Sequence, residues 1–448
     1  MTEIQKLLNA REERDSIKKK LSESGTILIS LNLNIPGIPK SNHLLTSFFD
    51  VVKDQLKNWL LANRIFIDDS KEINTNHEAG DYYVVPLKTM NYKATYIKQI
   101  TEQFEESHSL GRFIDVDVVG ESGENISSGK SKICFFCREF PAIECRRSER
   151  HSIDEIRKFQ EEKITKYLKK NRLDEICKKV TNMASQAIFY EISLTPKPGL
   201  VDKDSSGVHS DMDYRTFIDS TVIISSYFQD LILAGINCKT KNLSNALPLI
   251  RQIGLQMEKE MFANTHGVNT QKGLIFLMGV SLFASGYILR KNNSFNPAIF
   301  RQTVQKICEN MVQTELQNTN DALKSHGEQC FNQFKVAGIR WEAENGFPSV
   351  FDHALPLILD KNSTEDKALI MTLLSIMSQL DDTNVLYRSN SNTLNLLKEK
   401  CKMVLDNYSF DKYQEILDFC KTEKISPGGS ADLLSITVFI YLMIKNFP

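Results

Sequence analysis

Residues 112–119 read RFIDVDVV, and this stretch carries the sharpest fold signal in the chain. Apolar residues alternate with Asp115 and Asp117, which is the two-residue period of a strand buried on one face. The segment therefore predicts a strand whose apolar side chains, Ile114 and Val116 among them, face a core. The two carboxylates would then point together to the opposite face.

Other short stretches around this one also have the character of strands. They are the β-rich pieces 25–35, 65–67 and 81–87, with helical text between them. Beyond about residue 165 such pieces nearly vanish and amphipathic helical sequence dominates. We therefore predict a multidomain chain, with an N-terminal α/β or α+β domain over 1–165, a charged helical junction over 166–178 and an all-α domain over 179–448.

Composition narrows the function classes. The 448 residues include 55 Lys and Arg against 56 Asp and Glu, a net charge of -1, which argues against a nucleic-acid-binding protein. The longest uncharged run, 273–289, is slightly short for a membrane span and predicts a buried core helix instead. Nine Cys without a secretory signal pattern predict a reducing cytoplasm with free thiols or a metal site, and not a disulfide framework.

The Asp115 and Asp117 pair could bind a metal. Mg²⁺ prefers hard oxygen ligands and completes its shell with substrate phosphates, so two carboxylates on one strand face suit it. In nucleotidyl transfer, such a site neutralises a triphosphate and activates the attacking hydroxyl. The alternative is an ordinary exposed polar face of the strand.

The segment NIPGIPK, residues 34–40, follows the first predicted strand. Pro36, Gly37 and Pro39 predict a stiff turn that presents Lys40. Lys40 could contact a phosphate, and a turn without a ligand is the alternative.

A cysteine-rich segment comes next. Cys134, Cys137, Cys145 and His151 fall within 18 residues and could bind Zn²⁺. The spacing lacks the second Cys-x-x-Cys or His pair of common zinc fingers, so reduced thiols packed beside a basic segment are the alternative.

These three N-terminal segments together resemble the citrate lyase holo-acyl-carrier-protein synthase family. The family is also described as apo-citrate lyase phosphoribosyl-dephospho-CoA transferase, and the resemblance covers 1–165. It implies a nucleotidyltransferase-like domain in which Asp115 and Asp117 hold Mg²⁺, while Arg112 and Lys40 contact the triphosphate. A serine hydroxyl of the apo acyl carrier subunit would attack the α-phosphate, and pyrophosphate would leave.

The second part of the chain resembles triphosphoribosyl-dephospho-CoA synthase. Seven motifs occur in the same order, namely 194–202, 209–213, 267–273, 327–328, 338–348, 382–384 and 426–432. The resemblance implies that ATP and 3′-dephospho-CoA give 2′-(5″-triphosphoribosyl)-3′-dephospho-CoA and adenine. A fusion of the two enzymes would make and attach the citrate lyase prosthetic group.

This ribosyl transfer requires cations for the triphosphate, carboxylates beside the oxocarbenium-like carbon and a base for the attacking hydroxyl. Lone Asp residues before helical runs could instead be N-caps, as at Asp213 and Asp382. We expect four catalytic carboxylates in the motifs, Asp211, Asp213, Glu342 and Asp382. The expected substrate-binding residues are Lys197, Asn269, Lys272, Arg340, Asn384, Arg388, Gly428, Gly429 and Ser430.

The expected partner is the apo acyl carrier (γ) subunit of citrate lyase, with ATP and dephospho-CoA as substrates and no nucleic acid or membrane. Gln271 and Trp341 depart from the family pattern, which has a histidine and a glycine there. One alternative is the same chemistry on a malonate decarboxylase-type carrier protein. Another is a zinc-stabilised binding module fused to an inactive helical scaffold.

Overall fold

The computed structural model describes residues 2–22, 25–88, 92–127, 129–130, 132–316, 326–360 and 365–448. The chain forms two compact units, Met1–Arg172 and Leu173–Pro448. The first mixes strands and helices, and the second is helical throughout its described residues. The multidomain prediction of a mixed unit followed by a helical one is confirmed at this level.

The first unit is built on a four-stranded antiparallel sheet of order β2-β3-β1-β4. Its strands are β1 Leu28–Leu33, β2 Ile73–His77, β3 Gly80–Pro86 and β4 Ile114–Val119. Its helices are α1 Glu3–Ser22, α2 His43–Ala62, α3 Ala94–Ser107, α4 Ala142–Arg147 and the start of α5 Ile153–Ser193, with 3-10 turns at Asp69–Lys71 and Gly111–Phe113.

The two faces of the sheet carry different chemistry because side chains alternate along each strand. One face packs residues such as Ile29 and Val116 into the main core with α2 and α3. The other face has a smaller cluster that includes Leu28 and Val84, and Ile17 of α1 packs against it. Both faces are therefore partly covered by helices, and α1 lies on the polar one.

Two sequence predictions about strands were wrong. The piece 65–67 is not a strand, since Ile67 makes only an isolated bridge to Leu87. The strand β2 was missed because its sequence, INTNH, is polar and short of residues that favour strands.

The second unit contains fourteen further helices among its described residues. They are α6 Tyr214–Ser225, α7 Phe228–Asn237, α8 Leu247–Asn264, α9 Lys272–Leu289, α10 Pro297–Ile307, α11 Met311–Leu316, α12 His326–Phe334, α13 Ile339–Glu344, α14 Leu355–Leu359, α15 Glu365–Gln379, α16 Thr383–Arg388, α17 Ser391–Asp406, α18 Phe410–Thr422 and α19 Gly428–Asn446. A 3-10 turn, Leu243–Ala246, precedes α8, and a π-helical turn, Ser349–Ala354, precedes α14.

Three helical segments are long and apolar enough to cross a membrane by length and composition, Tyr214–Asn237, Lys272–Leu289 and Gly428–Asn446. Helix α9 is mostly buried in the core of the second unit, where it packs against α7, α8 and α19. The prediction that 273–289 is a buried core helix is confirmed.

Candidate functional site

The first unit places Asp115 and Asp117 together on the polar face of the edge strand β4. Asn32 of β1 lies opposite Asp115 and donates its amide to Asp115 Oδ2 at 3.3 Å. Lys18 Nζ of α1 lies 3.8 Å from Asp117 Oδ2, and the Asp117 side chain is 44% exposed. The predicted same-face arrangement is confirmed, and a third oxygen-bearing side chain, Asn32, joins the pair.

Burial, together with the negative charge of Asp117, raises the pKa of Asp115, and the cations Lys132 and Lys98 oppose that shift. Both lysines line a small cleft of about 160 Å³, and Arg112 is also on its wall. A bound cation would favour the charged form of Asp115. The donor set, two carboxylates and an amide oxygen, is of the hard oxygen type that Mg²⁺ prefers.

The residues that precede β4 hold its end in place. A Cβ on Gly111 would come within 1.6 Å of the Glu105 carbonyl oxygen, so only glycine allows this turn. Glu105 Oε1 accepts the backbone N–H of Val116 at 2.7 Å. His108 Nε2 lies 2.9 Å from Tyr167 OH, and burial lowers the pKa of His108 to about 4. These contacts fix the turn that carries Arg112 just before β4.

Lys40 lies in a group of cations. Its Nζ donates to the Ile35 carbonyl, so the loop folds back on itself as the turn signal predicted. Burial lowers the pKa of Lys40, and the nearby charges of Arg11, Arg157 and Arg14 lower it further. Four neighbouring cations favour an anionic ligand.

Cys134, Cys137, Cys145 and His151 come together in space. One ligand atom of each lies within 4.8 Å of the others. The first and third thiols are buried, and all nine cysteines of the chain are unpaired.

In the second unit, one carboxylate ties the starts of two helices. Asp382 Oδ1 accepts the backbone N–H of Asn384 at 2.9 Å, and its Oδ2 accepts both the N–H and the Oγ of Ser430 at 2.9 and 3.0 Å. Gly428 lies against the Asn384 amide, since an added Cβ would be 2.8 Å from its Nδ2. The cap alternative for Asp382 is therefore observed, and this cap brings the 382–384 and 426–432 motifs together.

A histidine and an arginine border the same loop. His209 Nε2 lies 2.9 Å from Ser426 Oγ, and Arg388 Nη2 lies 3.5 Å from His209 Nδ1. Burial and the Arg388 charge lower the pKa of His209, which Asp211 partly opposes. His209 is thus held neutral, and Arg388 beside it is exposed.

Two carboxylates that the sequence analysis did not name as site residues, Asp432 and Glu191, lie near Asp382. Burial raises the pKa of Asp432 well above its usual range, and Glu191 and Asp382 add to the shift. Glu191 forms a buried ion pair with Lys197, with Oε1 and Nζ 2.5 Å apart. Asp432, by contrast, has no hydrogen-bond or ion-pair partner in the part of the chain that the structure describes.

Other predicted residues serve the scaffold. Asp213 caps α6 in a reciprocal capping box with Thr216 and is exposed. Asn269 Oδ1 accepts the backbone N–H of Lys272 at the start of α9, and Lys272 Nζ lies 2.9 Å from Glu258. The buried Gln271 accepts the Ser220 hydroxyl at 2.6 Å. Gln271 therefore joins α9 to α6.

Several residues of the 338–348 motif line one cleft of about 340 Å³. Glu342 is buried and accepts Ser349 Oγ at 2.5 Å, and burial raises its pKa. Arg340 Nε lies 3.5 Å from Glu315. Trp341 is 49% exposed and lines the same cleft as Glu342, and Asp432 is not among the residues that line it.

Comparison with known proteins gives two families in tandem. Residues 177–448 match the family described as CitG, an ATP:dephospho-CoA triphosphoribosyl transferase. Residues 2–167 match CitX, an apo-citrate lyase phosphoribosyl-dephospho-CoA transferase. Both activities are transfers, so the chain is a bifunctional transferase. This favours the transferase interpretation over a binding module on an inactive scaffold.

Whole-length relatives have the same arrangement. A protein named CitXG from Leuconostoc mesenteroides subsp. cremoris is 29% identical over 99% of this chain and 97% of its own length. The Haemophilus influenzae CitXG is 32% identical over 97% of this chain and 95% of its own length. A 2-(5''-triphosphoribosyl)-3'-dephosphocoenzyme-A synthase from Klebsiella pneumoniae is 32% identical over 58% of this chain and 89% of its own length. The chain belongs to the CitXG family, in which an apo-citrate lyase phosphoribosyl-dephospho-CoA transferase is fused to an ATP:dephospho-CoA triphosphoribosyl transferase.

Proposed function

We propose that the two transferase units act in succession in the cytoplasm on the prosthetic group of citrate lyase. The helical unit would make 2′-(5″-triphosphoribosyl)-3′-dephospho-CoA, and the N-terminal unit would attach it to the γ acyl carrier subunit. The order follows from the chemistry. The first reaction makes the triphosphoribosyl compound, and the second reaction consumes it by releasing pyrophosphate from its triphosphate.

Asp432 is the residue that we assign to the reacting centre of the helical unit. The other carboxylates nearby are occupied, since Asp382 accepts three hydrogen bonds and Glu191 pairs with Lys197. Asp432 has a raised pKa and a free carboxylate, which are the properties expected of a general base near neutral pH. It would accept the proton of the 2′-hydroxyl as that oxygen attacks the anomeric carbon and adenine leaves.

The surrounding groups suit the triphosphate of ATP. Arg388 offers a planar guanidinium beside His209. The N-termini of α9 and α19 add positive potential, since helix N-termini attract anions. Gly428 and Gly429 let the α19 backbone pack closely against Asn384 and Asp382, which sets the position of this helix N-terminus. His209, neutral and bonded to Ser426, would orient the loop that carries these glycines.

In the N-terminal unit, Asp115 and Asp117 would hold Mg²⁺, which neutralises triphosphate charge when bound. Lys40 and the arginines beside it would bind the triphosphate, and Arg112 would contact it from the adjoining cleft. The carrier serine would attack the α-phosphate, with pyrophosphate as leaving group. The antiparallel sheet with carboxylates on one face supports a nucleotidyltransferase-like assignment.

The free carboxylate of Asp432 carries this proposal, and adenine release tests it. Purified protein is incubated with ATP, Mg²⁺ and dephospho-CoA, and free adenine is measured by chromatography. Asp432→Asn should lower the rate by about 100-fold or more, in the range for general-base loss. Asp411→Asn, at an exposed position in the first turn of α18, is the matched control and should keep the wild-type rate.

A second step tests the carrier. The triphosphoribosyl product and wild-type protein are mixed with either an apo citrate lyase γ subunit or a malonate decarboxylase-type carrier, and the carrier mass is measured. Faster modification of the first supports the proposal. Faster modification of the second would overturn the carrier assignment while leaving the adenine-release result intact.

A further inference from the structure

The cysteine-rich segment of the N-terminal unit folds as a compact knuckle. The Cys134 N–H donates to the Phe140 carbonyl at 2.8 Å, and the Arg138 N–H donates back to the Cys134 carbonyl at 2.9 Å. Arg138 has a positive φ of 60°, which turns the chain sharply after Cys137. Helix α4 then carries Cys145 back toward the turn, and His151 follows just before α5.

The distances within this knuckle match tetrahedral zinc. Cys137 Sγ and Cys145 Sγ lie 3.6 Å apart. Two thiolates bound to zinc at about 2.3 Å each in tetrahedral geometry would be about 3.8 Å apart. A disulfide requires about 2.05 Å. One ligand atom from each of Cys134 and His151 lies within 4.8 Å of these sulfurs, so four ligands surround one point.

We propose that Cys134, Cys137, Cys145 and His151 bind one Zn²⁺ as a closed structural site. Three thiolates and one imidazole leave no open position, which is the ligand pattern of structural and not catalytic zinc.

The surroundings support this ligand set. His151 Nε2 is buried without a hydrogen-bond partner in the described part of the chain. The guanidinium of Arg150 lies 3.7 Å from the Phe140 ring centre, which places positive charge beside a site of net negative charge.

The knuckle also forms a wall of the proposed transfer site. Arg112 Nη2 donates to the Ile133 carbonyl at 2.8 Å, next to the first ligand. Lys132 pairs with Glu105 at 3.0 Å on the cleft. Phe135 stacks edge-on against Phe113 at 5.1 Å between ring centres. Zinc would therefore position Arg112 and Lys132 without touching the substrate.

Metal content of the full chain tests the proposal directly. Protein purified without added metal, and protein stripped by a chelator under reducing conditions and then reloaded with zinc, are measured by inductively coupled plasma mass spectrometry. We expect one zinc per chain. Cys145→Ser should lose it, whereas Cys238→Ser, a partly exposed cysteine outside the cluster, should retain it.

Cobalt gives a readout that does not depend on how the variants fold. Co²⁺ added to stripped wild-type protein should produce thiolate charge-transfer bands and the intense visible bands of tetrahedral coordination. Zinc removal should slow carrier modification and leave adenine release unchanged. Reloaded wild-type protein that holds no more zinc than Cys145→Ser would overturn the proposal. Octahedral cobalt bands, or a Cys137–Cys145 disulfide in freshly purified protein, would also overturn it.

Discussion

Asp432 lies directly against Gly273, at the first turn of α9. A Cβ built on Gly273 would be 2.1 Å from Asp432 Oδ2, far inside contact distance. Because Gly273 has no side chain, the Asp432 carboxylate can occupy this position. The glycine of the 267–273 motif is explained by packing against a group from the 426–432 motif.

Substituting Gly273→Ala should displace the Asp432 carboxylate and slow adenine release by about 100-fold, the cost expected for a reacting group moved by an ångström. Alanine has a higher helix propensity than glycine, so this substitution should not destabilise α9 through its helix propensity. Gly254→Ala in α8 is the matched control, because its new Cβ would meet only the Ile275 side chain at 3.5 Å. Equal rates for the two variants would contradict the packing argument.

Asp432→Asn should stabilise the protein while it removes activity. The pKa of Asp432 is raised by burial and by Glu191 and Asp382. A carboxyl whose pKa is higher in the folded state stabilises the fold while protonated, and this contribution disappears as pH rises through that pKa. Asparagine does not ionise, so the variant should have a higher Tm at neutral and alkaline pH.

The measurement is a Tm series against pH by differential scanning fluorimetry. The Tm gain should shrink toward zero below about pH 4, where wild-type Asp432 is also neutral. Asp411→Asn should track the wild type at every pH. A Tm that falls in the Asp432→Asn protein at neutral pH would show that the carboxylate is a stabilising ligand of the fold.

Removing either partner of the buried pair Glu191–Lys197 should lower the free energy of unfolding strongly. The two side chains are 7% and 2% exposed, so a lone charge left behind would be desolvated. Lys197→Met should cost about 3–5 kcal/mol in urea unfolding. The double variant Glu191→Gln/Lys197→Met should recover most of this loss, and no recovery would mean that the ion pair is not the source.

Asp115→Asn and Asp117→Asn should separate the two activities. Each should slow modification of the carrier by at least about 100-fold, a typical loss for a group that stabilises transferring phosphate charge. Adenine release should stay at the wild-type rate. Asp54→Asn, an exposed position on α2, is the control. Loss of both activities together would contradict the assignment of Asp115 and Asp117 to the transfer reaction.

The period of the sequence predicted the strand that carries Asp115 and Asp117, because β4 is buried on one face only. It did not predict β2, whose polar residues INTNH pair with β3 through backbone hydrogen bonds that no side-chain pattern reveals. Ile65 is buried, yet only Ile67 of its segment pairs. The segment 65–67 is apolar because it packs into the core and not because it forms a strand.

The candidate site shows a similar division. The 426–432 motif predicts substrate-binding roles for Gly428, Gly429 and Ser430, but none for Asp432. Its importance depends on Gly273 and Glu191, which are distant in sequence and meet it only in the fold. Glu191 is the only charged residue between Lys179 and Lys197, so an isolated carboxylate in an apolar stretch of α5 was a signal that the sequence analysis did not use. Asp213, by contrast, has the cap role that its position before a helix allowed.

The double cap made by Asp382 has a consequence for how the site opens. Its two oxygens accept hydrogen bonds from the backbone amides of Asn384 and Ser430. Neither amide can therefore exchange with solvent until its hydrogen bond to this carboxylate breaks. Fraying at the start of α16 and at the start of α19 is thereby one event and not two. In hydrogen–deuterium exchange the two amides would report a shared opening free energy, as members of a single foldon that spans 48 residues of sequence.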